Sequence, residues 1–183
     1  MTPRTLAAFA LLCLAGCAST PAGFPPSPAG LGLPEMSDPV PAAVFNARAA
    51  LADPARRIGE NPAYAARTVG QLEFVTAMMG EPRFHAVAPL AEGQLLRGRA
   101  EARATLGLAV GASPQAVITA LAGAAAAIDR SDGAAAERAL APVAASPART
   151  LAVLRALPFM RDASNALALT EWALERIDPI EEG

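Results

Sequence analysis

The chain is predicted to be all-α, and three observations carry that prediction. Asn61-Pro62, Ser113-Pro114 and Ser146-Pro147 each place a capping side chain directly before a proline. A proline at the first helical position loses no helical hydrogen bond, so such dipeptides start helices. Between these punctuation marks apolar residues recur at the 3.6-residue period rather than at random. Aromatic residues make up only 4% of the chain, so the core must rely on Leu, Val, Ile, Met and closely packed Ala. The fold expected is a single-domain bundle of six or seven short helices over residues 39–183.

The elements follow in order. Pro41 to Ala52 reads as a first helix with Val44, Arg48 and Leu51 on one side, ended by Asp53-Pro54. From Asn61-Pro62 a second helix carries Tyr64, Thr68, Leu72, Val75 and Met79 as one stripe and closes at Gly80. Phe74 lies off that stripe and should meet a second neighbour. Glu81 to Ala88 is irregular. Pro89 to Leu108 follows with Leu95, Ala102 and Leu106 inward, and with Arg97, Glu101, Arg99 and Arg103 on the opposite side.

Ser113-Pro114 opens a helix to Asp129 in which only Thr119 is polar between Ala116 and Ile128. A helix apolar nearly all round is buried or spans a membrane. At thirteen residues this run is too short to span, so it is expected to be the central helix. Ser131-Asp132 starts the next helix, to Leu140, and Ser146-Pro147 another, to Leu157. Ser164-Asn165 leads into the last, with Leu167, Leu174 and Ile177 inward and Asp178-Pro179 ending it. Ser113-Pro114 and Ser146-Pro147 lie 33 residues apart, the length of a helix pair in helical-repeat proteins. Two weak hairpin repeats are an alternative to the simple bundle.

Composition excludes several functions. The net charge is −2 and the isoelectric point near 5.4, which argues against non-specific nucleic-acid binding. All fifteen basic residues are Arg, so Schiff-base and P-loop lysine chemistry have no residue to use. No ligand spacing for a metal and no Gly-rich phosphate loop after a strand is present, and no cofactor is expected.

The N-terminus decides where the chain is held. Arg4 is followed by an almost unbroken apolar run, Leu6 to Leu14, too short to cross a bilayer, which needs roughly 20 residues. A positive start, a short apolar stretch and small residues before a cut site make a secretory signal peptide. Leu14-Ala15-Gly16-Cys17 resembles the lipobox of bacterial lipoproteins. That resemblance implies removal of residues 1–16 and lipidation (palmitate among the acyl chains) of Cys17. Ala18 rather than Asp after the cysteine implies the outer membrane, facing the periplasm, in a Gram-negative source. Cys13 would leave with the signal and Cys17 would carry lipid, so the mature domain would have no free thiol. Each buried methylene of an acyl chain contributes about 0.8 kcal/mol, and more than one chain anchors stably.

Residues 17–38 then form a tether. Pro21, Pro25, Pro26, Pro28 and Pro34 alternate with glycines, a composition that holds neither a helix nor a ladder. In polyproline II form, at about 3.1 Å per residue, it could reach roughly 60 Å. Its apolar residues, Phe24, Leu31, Leu33 and Met36, are read as solvated, with docking on the domain or contact with lipid as the alternatives.

Candidate sites are few. His85, the single imidazole, is a candidate general base beside Glu81, though no nucleophile arrangement is readable around it. Glu171 and Glu175 share a helix face. Arg97, Arg99 and Arg103 are candidate contacts for an anionic partner, against a plain helix surface with an Arg97–Glu101 pair. Trp172, a large aromatic at a polar boundary, is a candidate partner contact or the rim of a core. Met78, Met79, Phe84, Phe159 and Met160 either line an apolar groove or fill the core. The function expected is a non-enzymatic, membrane-anchored lipoprotein acting as a helical protein-interaction or scaffold module. A carrier for an apolar ligand is the alternative, and an enzyme using His85 a more remote one.

Overall fold

The computed structural model describes residues 28–34, 38–84 and 88–176. The signal peptide, Cys17, His85 and the acidic tail lie outside these residues.

Side-chain caps start most of the helices. Asp38 accepts from the Val40 amide at the start of α1 (Pro39–Leu51), and Asn61 from the Tyr64 amide at the start of α3 (Pro62–Met78). Asp53 does the same for α2 (Pro54–Arg57), so the dipeptide expected only to end α1 also starts a single further turn. A 3-10 turn, Pro82–Phe84, precedes α4 (Ala88–Leu106). Ser113 caps α5 (Pro114–Asp129) and Asp132 caps α6 (Gly133–Leu140). The chain continues through α7 (Pro147–Arg155) to α8 (Arg161–Glu175). The fold is an all-α bundle: the seven longer helices are those expected, and α2 is the additional one.

α3, not α5, is the central helix. It packs on α1, α4, α5 and α7, and from Thr68 to Thr76 every residue is buried. α5 buries Val117, Leu121, Ala124 and Ala125 against α3 and α6 but leaves Gln115, Ala116 and Thr119 exposed. An exposed alanine forgoes little burial, so a run of alanines does not compel a helix to be enclosed on all sides.

α8 begins three residues earlier than expected, and its cap comes from elsewhere. The Glu101 carboxylate on α4 accepts from the backbone amides of Asp162 (2.8 Å) and Ala163 (3.0 Å). A negative charge there satisfies otherwise unpaired amides and complements the helix dipole. Glu101 therefore serves α8 and forms no ion pair with Arg97. One turn before it, Gly98 lets the two helices meet, since a Cβ there would lie 2.7 Å from Ala163 Cα. Gly98→Ala should lower stability by about 1–3 kcal/mol through overpacking, despite alanine's better helix propensity. A thermal melt unchanged from wild type would contradict this packing.

The 33-residue similarity does not produce two hairpins. α5 packs on α6, whereas α8 packs on α4 and α1 rather than on α7. Ser164-Asn165, matched to the start signal Ser131-Asp132, lies inside α8.

The segment 28–34 is not a solvated linker. Leu31 is fully buried against α3, in a notch that exists because residue 70 is glycine. A Cβ on Gly70 would sit 2.6 Å from Leu31 Cδ2. Gln71 Nε2 donates to the Leu31 carbonyl at 2.9 Å, and Arg67 Nε to the Gly30 carbonyl at 3.2 Å. Gly30 and Gly32, at φ +84° and +70°, turn the chain on either side of the buried leucine. Only glycine enters that region without strain.

Candidate interaction surface

The most demanding electrostatic feature is a buried ion pair whose arginine, Arg103, the sequence places on the outer side of its helix. Arg103 is 5% exposed and Glu73, on the central helix, is fully buried. The contact is bidentate: Arg103 Nε donates to Glu73 Oε1 at 2.6 Å and Nη2 to Oε2 at 2.8 Å. The remaining nitrogen, Nη1, faces three backbone carbonyls, Val110 at 2.9 Å, Ala112 at 2.8 Å and, more weakly, Ala109 at 3.4 Å. Hydrogen bonding to Glu73 raises the Arg103 pKa; burial pulls it down, and the attraction of the Glu73 charge adds to the rise. The raised value lies in the strongly alkaline range, so the stabilisation on the arginine side is full at lower pH and lost only as pH climbs through it.

Arg103 is thus removed from the candidate anion-binding set, because its charge is neutralised inside the bundle. Arg97 remains exposed and Arg99 half-buried, and the three do not form one patch. The signal available was positional. Arg103 lies beside Ala102 and three residues before Leu106, within the inward stripe, and Glu73 is the one acid in the otherwise neutral stretch 68–80.

What the pair holds is the connection between α4 and α5. Gly107, at φ +70°, ends α4 in a Schellman turn, with the Leu108 amide donating to the Arg103 carbonyl (2.8 Å) and the Gly107 amide to that of Ala104 (3.2 Å). Leu108 forms an isolated bridge with Ala144, and the Ala109 amide donates to the Val143 carbonyl at 2.8 Å. Thr150 Oγ1, 2.8 Å from the Leu106 carbonyl, ties α7 to the same turn. At the tip of this fastened loop Val110 is 85% exposed, more than any other large hydrophobic residue described.

Beside the loop runs a face without charge. No charged residue occurs in 28–34, 104–128 or 139–148, three stretches that the fold brings together around α5. A groove of about 630 Å³ lies between α5 and α6, lined by Ser113, Gln115, Ala116, Thr119, Ala120, Gly123, Ala139 and Pro142. On the other side of Gln115, Thr119 and Gly123 a hollow of about 410 Å³ is closed by Pro28, Ala29 and Gly30. The charges begin at the rim, where Arg67 on α3 pairs with Asp129 at the end of α5.

Trp172 is exposed by 43%, with the Arg176 guanidinium 3.9 Å from its ring centroid. Beside it Glu171 pairs with Arg48 Nε at 2.9 Å, tying α8 to α1. Glu171 is thereby committed to a structural contact, and Glu175 is exposed. Met78, Met79, Phe84 and Met160 are buried in the core and Phe159 is exposed, so these residues do not make a groove.

Comparisons with protein-family models, with curated proteins and with solved structures find no match.

Proposed function

We propose that the chain is a bacterial envelope lipoprotein, anchored through lipid on Cys17, whose helical domain is a non-enzymatic protein-docking module. The observation that carries the docking half is the uncharged face around α5, built from three separate stretches and rimmed by charge. Protein contacts deplete charge at their centre and keep a polar rim. A fastened loop with an exposed valine at the face's end adds a preorganised contact, since a segment already ordered loses little entropy on binding. Trp172 offers a second contact point on α8. The anchor half rests on the lipobox resemblance, with the outer membrane facing the periplasm as the location.

Two measurements test the reading. Cells grown with labelled palmitate should incorporate label into the wild-type chain and not into Cys17→Ser, which should move to the soluble fraction. Label in neither, with both proteins soluble, would remove the anchor. A photo-crosslinking residue at Thr119 in the full chain should link to a protein, whereas one at Leu96, exposed on α4, should not; no protein adduct at Thr119 would remove the docking function.

A further inference from the structure

We infer that α3 carries a binding site for one buried water molecule, which bridges Thr68 Oγ1 and Gln71 Oε1 and helps to hold the segment 28–34.

Among the described residues, these two are the buried side-chain polar atoms that find no hydrogen-bond partner within the protein. Thr68 is fully buried and Gln71 is 3% exposed. A buried polar atom left unpaired is costly, and proteins pair nearly all such atoms with protein or with ordered water. The two atoms also belong to one place. Residues three apart on a helix lie on the same side, with Cβ atoms about 5–6 Å from each other. Two hydrogen bonds of ordinary length to a single water oxygen span roughly that gap.

Thr68 departs from the other buried threonines. Thr76 Oγ1 donates to the Leu72 carbonyl at 2.7 Å and Thr170 Oγ1 to the Ala166 carbonyl at 2.8 Å. Thr150 Oγ1 reaches the Ser146 carbonyl at 3.2 Å, besides that of Leu106. Each of the three uses the carbonyl four residues back. Thr68 makes no such bond to Tyr64, so its hydroxyl is turned to something else. Gln71 is constrained as well. Its Nε2 donates to the Leu31 carbonyl, and exchanging the ends of the amide would set two acceptor oxygens against each other. Oε1 therefore needs a donor from outside the helix.

The chemistry of the pair selects a small neutral ligand. The ionic side chains nearby on α3 are committed elsewhere, Arg67 to Asp129 and Glu73 to Arg103. No group of His, Cys, Asp or Glu able to hold a metal ion occurs among the described residues. Water both donates and accepts, so one molecule serves the carbonyl oxygen and the hydroxyl together. By occupying Oε1 it keeps Nε2 aimed at the Leu31 carbonyl, which ties the segment 28–34 to the central helix.

The test uses the full chain, purified in detergent, and combines NMR with urea unfolding. Water-to-protein NOEs should reach the Thr68 methyl and the Gln71 side-chain amide, with the sign of a water held for nanoseconds or longer. Thr68→Val keeps the shape of the side chain and should lower the folding equilibrium constant about tenfold, because Gln71 Oε1 and the water lose a partner. In a cycle with Gln71→Met, the two replacements should couple at least threefold in that constant, although the side chains share no direct bond. Thr68→Val as stable as wild type, or more stable, overturns the proposal, since removing an unpaired hydroxyl relieves its burial. Strict additivity in the cycle overturns it too, as does a site without the NOEs.

Discussion

Glu73→Ala is expected to cost about 3–5 kcal/mol, because it leaves the Arg103 guanidinium buried with no counter-charge. Domains of this size are stable by only about 5–15 kcal/mol, so the urea midpoint should fall steeply. Glu73→Gln should be nearly as damaging, since an amide cannot replace a carboxylate that takes two charge-assisted hydrogen bonds. The informative variant is the double replacement Glu73→Leu with Arg103→Met. Removing both charges should recover most of the stability, because a buried pair repays little beyond its own desolvation. It should not recover the loop. The Ala109, Val110 and Ala112 carbonyls would turn to water, and amide exchange across 107–112 should quicken while that of α3 stays slow. A single replacement costing under about 1 kcal/mol would contradict the burial of the pair.

Leu31→Ala should lower stability by about 2–5 kcal/mol, through lost burial and the cavity left at the notch. Gly70→Ala should also destabilise, because its new methyl would intrude on the leucine. Together the two should do less harm than their sum, the added methyl occupying space the shortened side chain vacates. Contacting residues couple by 0.5–3 kcal/mol in either sign, so a double-mutant cycle by chemical denaturation resolves this. Strict additivity would mean that Leu31 does not sit on Gly70.

These two sites mark the limit of what the sequence discloses. Helix starts written by a local cap, Asn61, Ser113 and Asp132, were legible because donor and acceptor lie within one turn of each other. The start of α8 was not, since its acceptor is Glu101, some sixty residues away on another helix. Leu31 reads as solvated because Pro and Gly describe the backbone's freedom and say nothing of a partner surface 40 residues on. Arg103 was misplaced for a related reason. Charge normally points outward, and only the opposite charge of Glu73 on the adjoining helix reverses that preference. Among the sites, the exposure of Trp172 follows from its polar neighbours Glu171 and Glu175, whereas the uncharged face needs three segments assembled before it exists.

Docking of residues 28–34 also shortens the leash. With lipid on Cys17, only eleven peptide steps would separate the bilayer from Pro28, a span of at most about 40 Å even fully extended. The domain would hover low, sweeping a shallow dome instead of ranging across the periplasmic gap. Its encounters would then be chiefly sideways, with molecules moored on the same sheet of lipid.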